Sequence, residues 1–315
     1  MISKILQSNN AILNYHRITQ NDNTDKPNDE LAVSAKRFKE QLIFLKKNYN
    51  LVALDNLINF ERTAKPSISI TFDDGYKDNL SMALPILNEL NIPATVYIIT
   101  KFYQNDFNVW WMELQDYIWS SSDNIKFIYS EKNFNFSIKN NSEKNKCFFE
   151  LRKIIKKLDK IEQGKFLEAV TKTNIRKNFE NEFLNKDELR LLSSNPLITI
   201  GAHSHNHLSL KNLDKNHCTQ EIMESKKILE KLINKKIKHF SYPYGTKEDA
   251  GEREFKIVEE LGFSSAVTTS VGSVTKKKIF NLPRIHINNK ANEKILKIKL
   301  SPLYQIYKNL QEFIN

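Results

Sequence analysis

Short apolar runs alternate with amphipathic stretches along most of this chain, and the alternation predicts its elements. Runs rich in β-branched and aromatic residues, bounded by Pro, Gly, Asn or Asp, predict strands at 11–15, 51–53, 67–72, 94–99, 197–201, 239–242, 264–268 and 284–287. Helical spacing takes over between them. Phe38, Leu42 and Leu45 make one stripe, and Leu80, Leu84, Leu87 and Leu90 make a second that stops at Asn91-Ile92-Pro93. Ile222, Ile228/Leu229 and Leu232 make a third. Strand followed by helix, repeated, predicts an α/β fold on a parallel sheet, open or closed into a barrel.

The rhythm breaks over residues 103–195. That stretch is helix-rich and polar, with Trp110, Trp111, Tyr117 and Trp119 near its start and a small hairpin expected around 127–138. It reads as an insertion on the barrel rim, a lid or substrate platform. Beyond His286, Lys and apolar positions alternate at helical spacing through Leu303, Ile306, Tyr307, Leu310 and Phe313, the pattern of a basic amphipathic helix. The expected organisation is a barrel from 1–102 and 196–290, an insertion at 103–195 and a C-terminal amphipathic helix at 291–315.

Composition narrows the partners. The 315 residues are 40% hydrophobic and 27% charged, enough for a sizeable core. No apolar run is long enough to predict a transmembrane helix. The first residues lack a sustained apolar stretch and a small-residue cleavage site, so a cytoplasmic setting is expected. Cys147 and Cys218 lie far apart and belong to no CxxC pattern, which favours reduced thiols. The net charge of +11 comes mainly from Lys spread along helices, without a basic arm or a zinc-finger or RNP-like motif. A solvated basic surface is therefore expected, with no nucleic-acid partner. Such a surface also suits anionic lipid at the inner membrane face or a phosphorylated sugar carrier.

Two clusters carry candidate chemistry. Strand 67–72 ends abruptly in Asp73-Asp74-Gly75-Tyr76. One Asp there would satisfy a helix-capping turn; two adjacent carboxylates call for a nearby cation. The second cluster is His203-Ser204-His205-Asn206-His207, which holds three of the seven histidines and directly follows an apolar strand. His203 and His207 are four apart, so one helical turn would aim both at one point, with His205 facing elsewhere. Ser204 and Asn206 are candidates to orient them. Two imidazoles and one carboxylate fit hydrolytic zinc and also the facial triad of Fe(II) oxygenases. The spare carboxylate favours hydrolysis, because a zinc-activated water needs a base, and Asp73 stands beside Asp74.

Thr71-Phe72-Asp73-Asp74-Gly75 and His203-Ser204-x-x-His207 resemble the first two motifs of the polysaccharide deacetylase (NodB-homology) family. The resemblance implies a distorted (β/α) barrel and hydrolysis of acetyl groups on sugars. It also implies Asp73 as catalytic base and Asp74, His203 and His207 as metal ligands, with zinc expected. The family's Arg-x-Pro-Tyr motif corresponds to Ser241-Tyr242-Pro243-Tyr244, so Tyr244 would supply an oxyanion-binding backbone N–H while Ser241 replaces the usual Arg. Arg284, in Leu282-Pro283-Arg284-Ile285-His286, is the candidate to replace it in orienting Asp73. The same segment resembles the family's late Leu-x-His motif, which implies His286 as general acid. Leu13-Asn14-Tyr15-His16 resembles the first strand of a subgroup linked to surface polysaccharides, and His16 receives no role. The expected substrate is an N-acetylated sugar, lipid- or nucleotide-linked, on the way to a surface glycan. A catalytically silent glycan-binding barrel and an Fe(II) oxygenase are the rival readings.

Overall fold

A computed structural model describes residues 10–21, 26–59, 64–101, 109–174, 177–301 and 303–304. Its strands in chain order are β1 (Ala11–Tyr15), β2 (Arg17–Thr19), β3 (Ala32–Ser34), β4 (Asn50–Leu51), β5 (Ser67–Phe72), β6 (Ala94–Ile98), β7 (Ile125–Tyr129), β8 (Lys132–Phe136), β9 (Ile198–Ala202), β10 (His239–Ser241), β11 (Ser265–Val267) and β12 (Ile285–His286). Its main helices are α1 (Ala35–Asn48), α2 (Leu84–Leu90), α3 (Trp110–Ser120), α4 (Asn141–Ile155), α5 (Lys160–Thr171), α6 (Lys186–Ser194), α7 (Lys215–Ile233), α8 (Glu252–Glu260) and α9 (Glu293–Lys299). The eight predicted strands all form, with no end shifted by more than two residues.

The main sheet is parallel throughout, in the order β11-β10-β9-β6-β5-β1-β12, with β4 added along β5. It curls far enough that one short segment touches both ends. Leu282 exchanges backbone hydrogen bonds with Ala266 and Thr268 on the β11 side, while Ile287 N–H donates to the Asn14 carbonyl on β1. This is the distorted (β/α) barrel that the motifs implied. Strand residues are buried on both faces, as in any parallel sheet covered by helices. The outward side chains join the large core under the helices. Ile12, Tyr97, Val267 and Leu282 form a second apolar cluster with Leu54 and Leu57.

Between β6 and β9 lies the stretch expected as an insertion. It contains α3, the β7–β8 hairpin, α4 and α5, and the hairpin turns through Ser130 and Glu131, both left-handed as a two-residue turn requires. Asn140 and Asp159 cap α4 and α5 by accepting from backbone N–H groups three residues on. The final helix of the stretch, α6, packs against β9 and α7 as a barrel helix would. In the tail, α9 ends at Lys299 with Leu300 in the C-cap, and Leu303 and Tyr304 are helical again. Positions 306–313 of the predicted stripe lie outside the described residues. No helix among the described residues is long and apolar enough to cross a membrane.

Candidate active site

The two clusters meet at the carboxyl end of the barrel strands, where parallel α/β folds place their sites. Asp73 and Asp74 leave β5, and His203 leaves β9. Asp74 and Gly75 are both left-handed, with φ of 74° and 77°. That conformation turns two successive carboxylates to different tasks, and it favours glycine at 75 because L side chains rarely adopt its φ, while an added Cβ would also press on the Ile98 side chain at 3.0 Å. The turn is braced by the return leg of the insertion. Leu184 N–H donates to the Gly75 carbonyl and Lys77 N–H to the Glu182 carbonyl, while the Tyr76 ring stacks on Phe183 at 4.9 Å.

Asp74, His203 and His207 present donor atoms that all lie within 4.8 Å of one another, and all three residues are buried. Asp74 Oδ1 is 3.4 Å from His203 Nε2 and 3.5 Å from His207 Nε2. Those gaps are long for hydrogen bonds. They match the separation of about 3.3 Å between ligands around a tetrahedral ion with bonds of about 2.0–2.1 Å. His203 Nδ1–H donates to the Ser241 carbonyl at 2.7 Å, which leaves the Nε2 lone pair facing Asp74. His207 is neutral: burial outweighs the pull of Asp74 and pushes its pKa down to about 3. Two imidazole nitrogens converging on one carboxylate oxygen need a cation between them, a proton on His203 or a metal ion, and the donor set fits a divalent ion.

The i, i+4 helical turn expected for His203 and His207 does not form. The segment is a loop in which Ser204 and His207 are both left-handed, with φ of 59° and 56°. Glu221, from α7, holds it by accepting from the backbone N–H groups of His205 and Asn206 at 3.2 and 2.8 Å and from Asn206 Nδ2. Ser204 Oγ accepts from His207 N–H at 3.0 Å. The loop reaches the same convergence with folded-back polar contacts in place of a helix. His205 faces away, its Nδ1 2.8 Å from Thr100 Oγ1.

Asp73 sits beside this triad with a different partner. Arg284 grips its carboxylate in a two-pronged fork, Nη1 to Oδ1 at 2.8 Å and Nη2 to Oδ2 at 2.6 Å. Arg284 Nη2 also donates to Ser241 Oγ at 3.0 Å and Nε to the Thr268 carbonyl at 2.9 Å. The guanidinium is fully buried. Burial alone would raise the Asp73 pKa; Arg284, with His203, reverses that and holds the carboxyl well below the usual carboxylate range.

Tyr244 is left-handed, at φ 59°, unusual for a bulky residue. Thr269 pins the turn, its Oγ1 donating to the Tyr244 carbonyl at 2.8 Å and its N–H to that of Gly245 at 3.0 Å. The Tyr244 N–H donates to no group among the described residues. Its ring packs 4.7 Å from that of His207. His286 is neutral: burial, His16 and Lys299 push its pKa down to about 3, and its Nε2 lies 3.2 Å from the Glu30 carbonyl.

These groups line a cavity of about 240 Å³ together with Asn14, His16, Trp110, Trp111 and Arg152. His16 Nε2 is 4.0 Å from Asp73 Oδ2, and the side-chain oxygen of Asn14 and Nδ1 of His16 are buried with no hydrogen-bond partner among the described residues. Trp111 packs 5.2 Å from His207 and donates to the Tyr76 hydroxyl at 3.1 Å. Sequence reasoning placed Trp110 and Trp111 on the insertion without linking them to the ligands. It passed over Glu221, Thr269 and Arg152, whose spacing along the chain carries no signal for the site.

Comparison with known proteins agrees with this geometry. The family described as polysaccharide deacetylase matches residues 60–131 and 134–266. A Bacillus subtilis (strain 168) protein, YxkH, whose own name gives polysaccharide deacetylase as a provisional assignment, is 21% identical over 283 residues, covering 88% of this chain and 71% of that protein. The fold resembles that of the Streptococcus pyogenes deacetylase PplD, solved with acetate, at a TM-score of 0.60, 18% identity and coverage of 92% and 97% of the two chains. It resembles IcaB from Ammonifex degensii at a TM-score of 0.60, 14% identity and coverage of 93% and 98%. The motifs, the barrel and a match over more than half its length agree: this chain belongs to the polysaccharide deacetylase family.

Proposed function

We propose that the chain is a metal-dependent N-deacetylase that hydrolyses an acetamido group on a sugar. The observation that carries the reading is the pairing of two carboxylates with separate duties, Asp74 facing His203 and His207 and Asp73 held by Arg284. A divalent ion held by Asp74, His203 and His207, most simply zinc, would polarise the acetyl carbonyl and ease ionisation of a water. Asp73 accepts the proton of the attacking water. The free N–H of Tyr244 stabilises the oxyanion that develops on the carbonyl oxygen. As the C–N bond breaks, His286 passes a proton to the departing nitrogen, giving acetate and a free amine. His286 starts neutral, so this proton has to reach it within the cycle.

The net charge of +11 supports a substrate joined to an anionic carrier, lipid- or nucleotide-linked, met in the cytoplasm or at the inner membrane surface. The test is acetate release from a panel of N-acetylated sugars and carrier-linked precursors. We expect release that is lost on metal removal, restored by zinc, and reduced at least 100-fold in Asp73→Asn. Folded, metal-loaded protein that binds these sugars without releasing acetate would instead identify a glycan-binding barrel. Turnover that consumed oxygen would identify an Fe(II) oxygenase.

A further inference from the structure

Arg152 is the cation of the cavity that the chemistry above does not use. It lies on α4, in the insertion, and its side chain lines the same cavity as the Asp74, His203 and His207 triad. Among the described lining residues it is the one Lys or Arg. Its guanidinium carbon stands 5.9 Å from the centre of the Tyr244 ring, whose own neighbour is His207 at 4.7 Å. Lys156, one helical turn on, also faces that ring at 5.6 Å, but is committed to buried Asp249 at 3.0 Å. Arg152 has no such commitment: among the described residues its side chain makes no hydrogen bond and no ion pair, and it is half-buried.

The carboxylates of the cavity do not explain it. Asp73 is satisfied by Arg284, and Asp74 faces the two imidazoles. A half-desolvated guanidinium with no protein carboxylate to pair with is an unfavourable arrangement. It becomes favourable when a planar or tetrahedral anion meets the fork of N–H donors. The arginine is also held in place. Leu151 and Ile155 are fully buried on either side of it, Cys147 and Phe148 lock the preceding turn, and the Tyr244 ring supports the guanidinium face.

We propose that Arg152 is a specificity residue, and that the natural substrate carries a carboxylate or phosphate close to the acyl group that is removed. The inference rests on the deacetylase reading and deepens it. With the acetyl group at the triad, the anion is received at Arg152 beside the Tyr244 ring. The carboxylate would come from an acidic sugar, the phosphate from a carrier linkage.

The zinc-loaded full chain is assayed for acetate release on three probes: a neutral N-acetylglucosamine disaccharide, N-acetylglucosamine 1-phosphate, and an N-acetylglucosamine–glucuronate disaccharide. We expect the wild type to favour one anionic probe over the neutral one by at least 10-fold in kcat/KM, and the favoured probe identifies the anion. In Arg152→Gln that ratio falls by 10-fold or more, chiefly through KM, and Arg152→Lys recovers part of it. Equal use of all three probes by the wild type, or an equal loss on all three in Arg152→Gln, overturns the proposal. Calorimetric binding of the same probes to wild type and Arg152→Gln separates this failure from that of the deacetylase reading. Where no acetate appears, tighter binding of an anionic probe that is lost in Arg152→Gln still upholds the anion site. Binding that ignores the anion rejects it.

Discussion

At Asp73 two influences of opposite sign meet, and the stronger decides the chemistry. Removal from water favours the neutral acid, while the buried Arg284 fork favours the carboxylate and prevails. Arg284→Leu removes the stabilising partner and leaves the burial, so the Asp73 pKa rises. Because the base works only when ionised, the acid limb of the kcat/KM profile should move to higher pH by a unit or more. An unchanged profile and rate would remove Arg284 from the mechanism. The same change should cost about 3–5 kcal/mol of stability, since it strands a buried charge. Linkage has a definite sign here. A carboxyl whose folded pKa is depressed contributes stability that is present above its unfolded value of about 3.9 and lost as pH falls from there through the folded value. Thermal melts of wild type and Arg284→Leu should therefore differ most at neutral pH and converge in strong acid. Arg284 was legible as a candidate because Ser241 left a vacancy in the family motif. Its contact was not, because 211 residues separate it from Asp73 and only barrel closure brings them together.

At the scale of elements, the site depends on two segments whose shape the hydrophobic pattern does not specify. The strands leading to Asp73 and His203 were plain in sequence, since apolar runs ending in charged residues mark where a buried strand reaches the surface. The path from His203 to His207 was misread as helical, because i, i+4 spacing suits a helix equally well. What decides it is Glu221 on α7, which satisfies loop N–H groups that a helix would have bonded internally. Glu221→Ala should leave those donors unpaired, at a cost of about 1–3 kcal/mol. It should also weaken zinc binding by about 10- to 100-fold, because the loop then no longer fixes the imidazoles. Competition with a chromophoric chelator measures that affinity. Glu221→Gln, which keeps one acceptor, should lose less. An affinity unmoved by both changes would mean that β9 and Ser204 alone position the ligands. Trp111 makes a related point: its helix was predicted, but its packing on His207 follows from how the insertion folds over the rim.

For the molecule as a whole, an ion at the triad would join parts of the chain that the barrel alone only brings near. Asp74 belongs to the first half of the barrel, and His203 and His207 follow the insertion, so an ion between them links β5 to β9 across the intervening β6. Anything that binds the folded state and not the unfolded one stabilises by mass action, by about 2.7 kcal/mol at a hundredfold excess over Kd. Zinc added to metal-stripped protein should therefore raise Tm by several degrees, in a concentration-dependent way. The response should also depend on pH with a fixed sign. Burial would lower the His203 pKa, yet Asp73 and Asp74 overcome it and raise it above the ordinary histidine value. Protons thus compete with the ion at Nε2, and the zinc-induced rise in Tm should shrink as pH falls through that raised value. The double variant His203→Ala, His207→Ala should melt at one temperature with or without zinc. A zinc response that persisted undiminished in it would place the bound ion away from Asp74, and the assignment of the triad would fail with the barrel still intact.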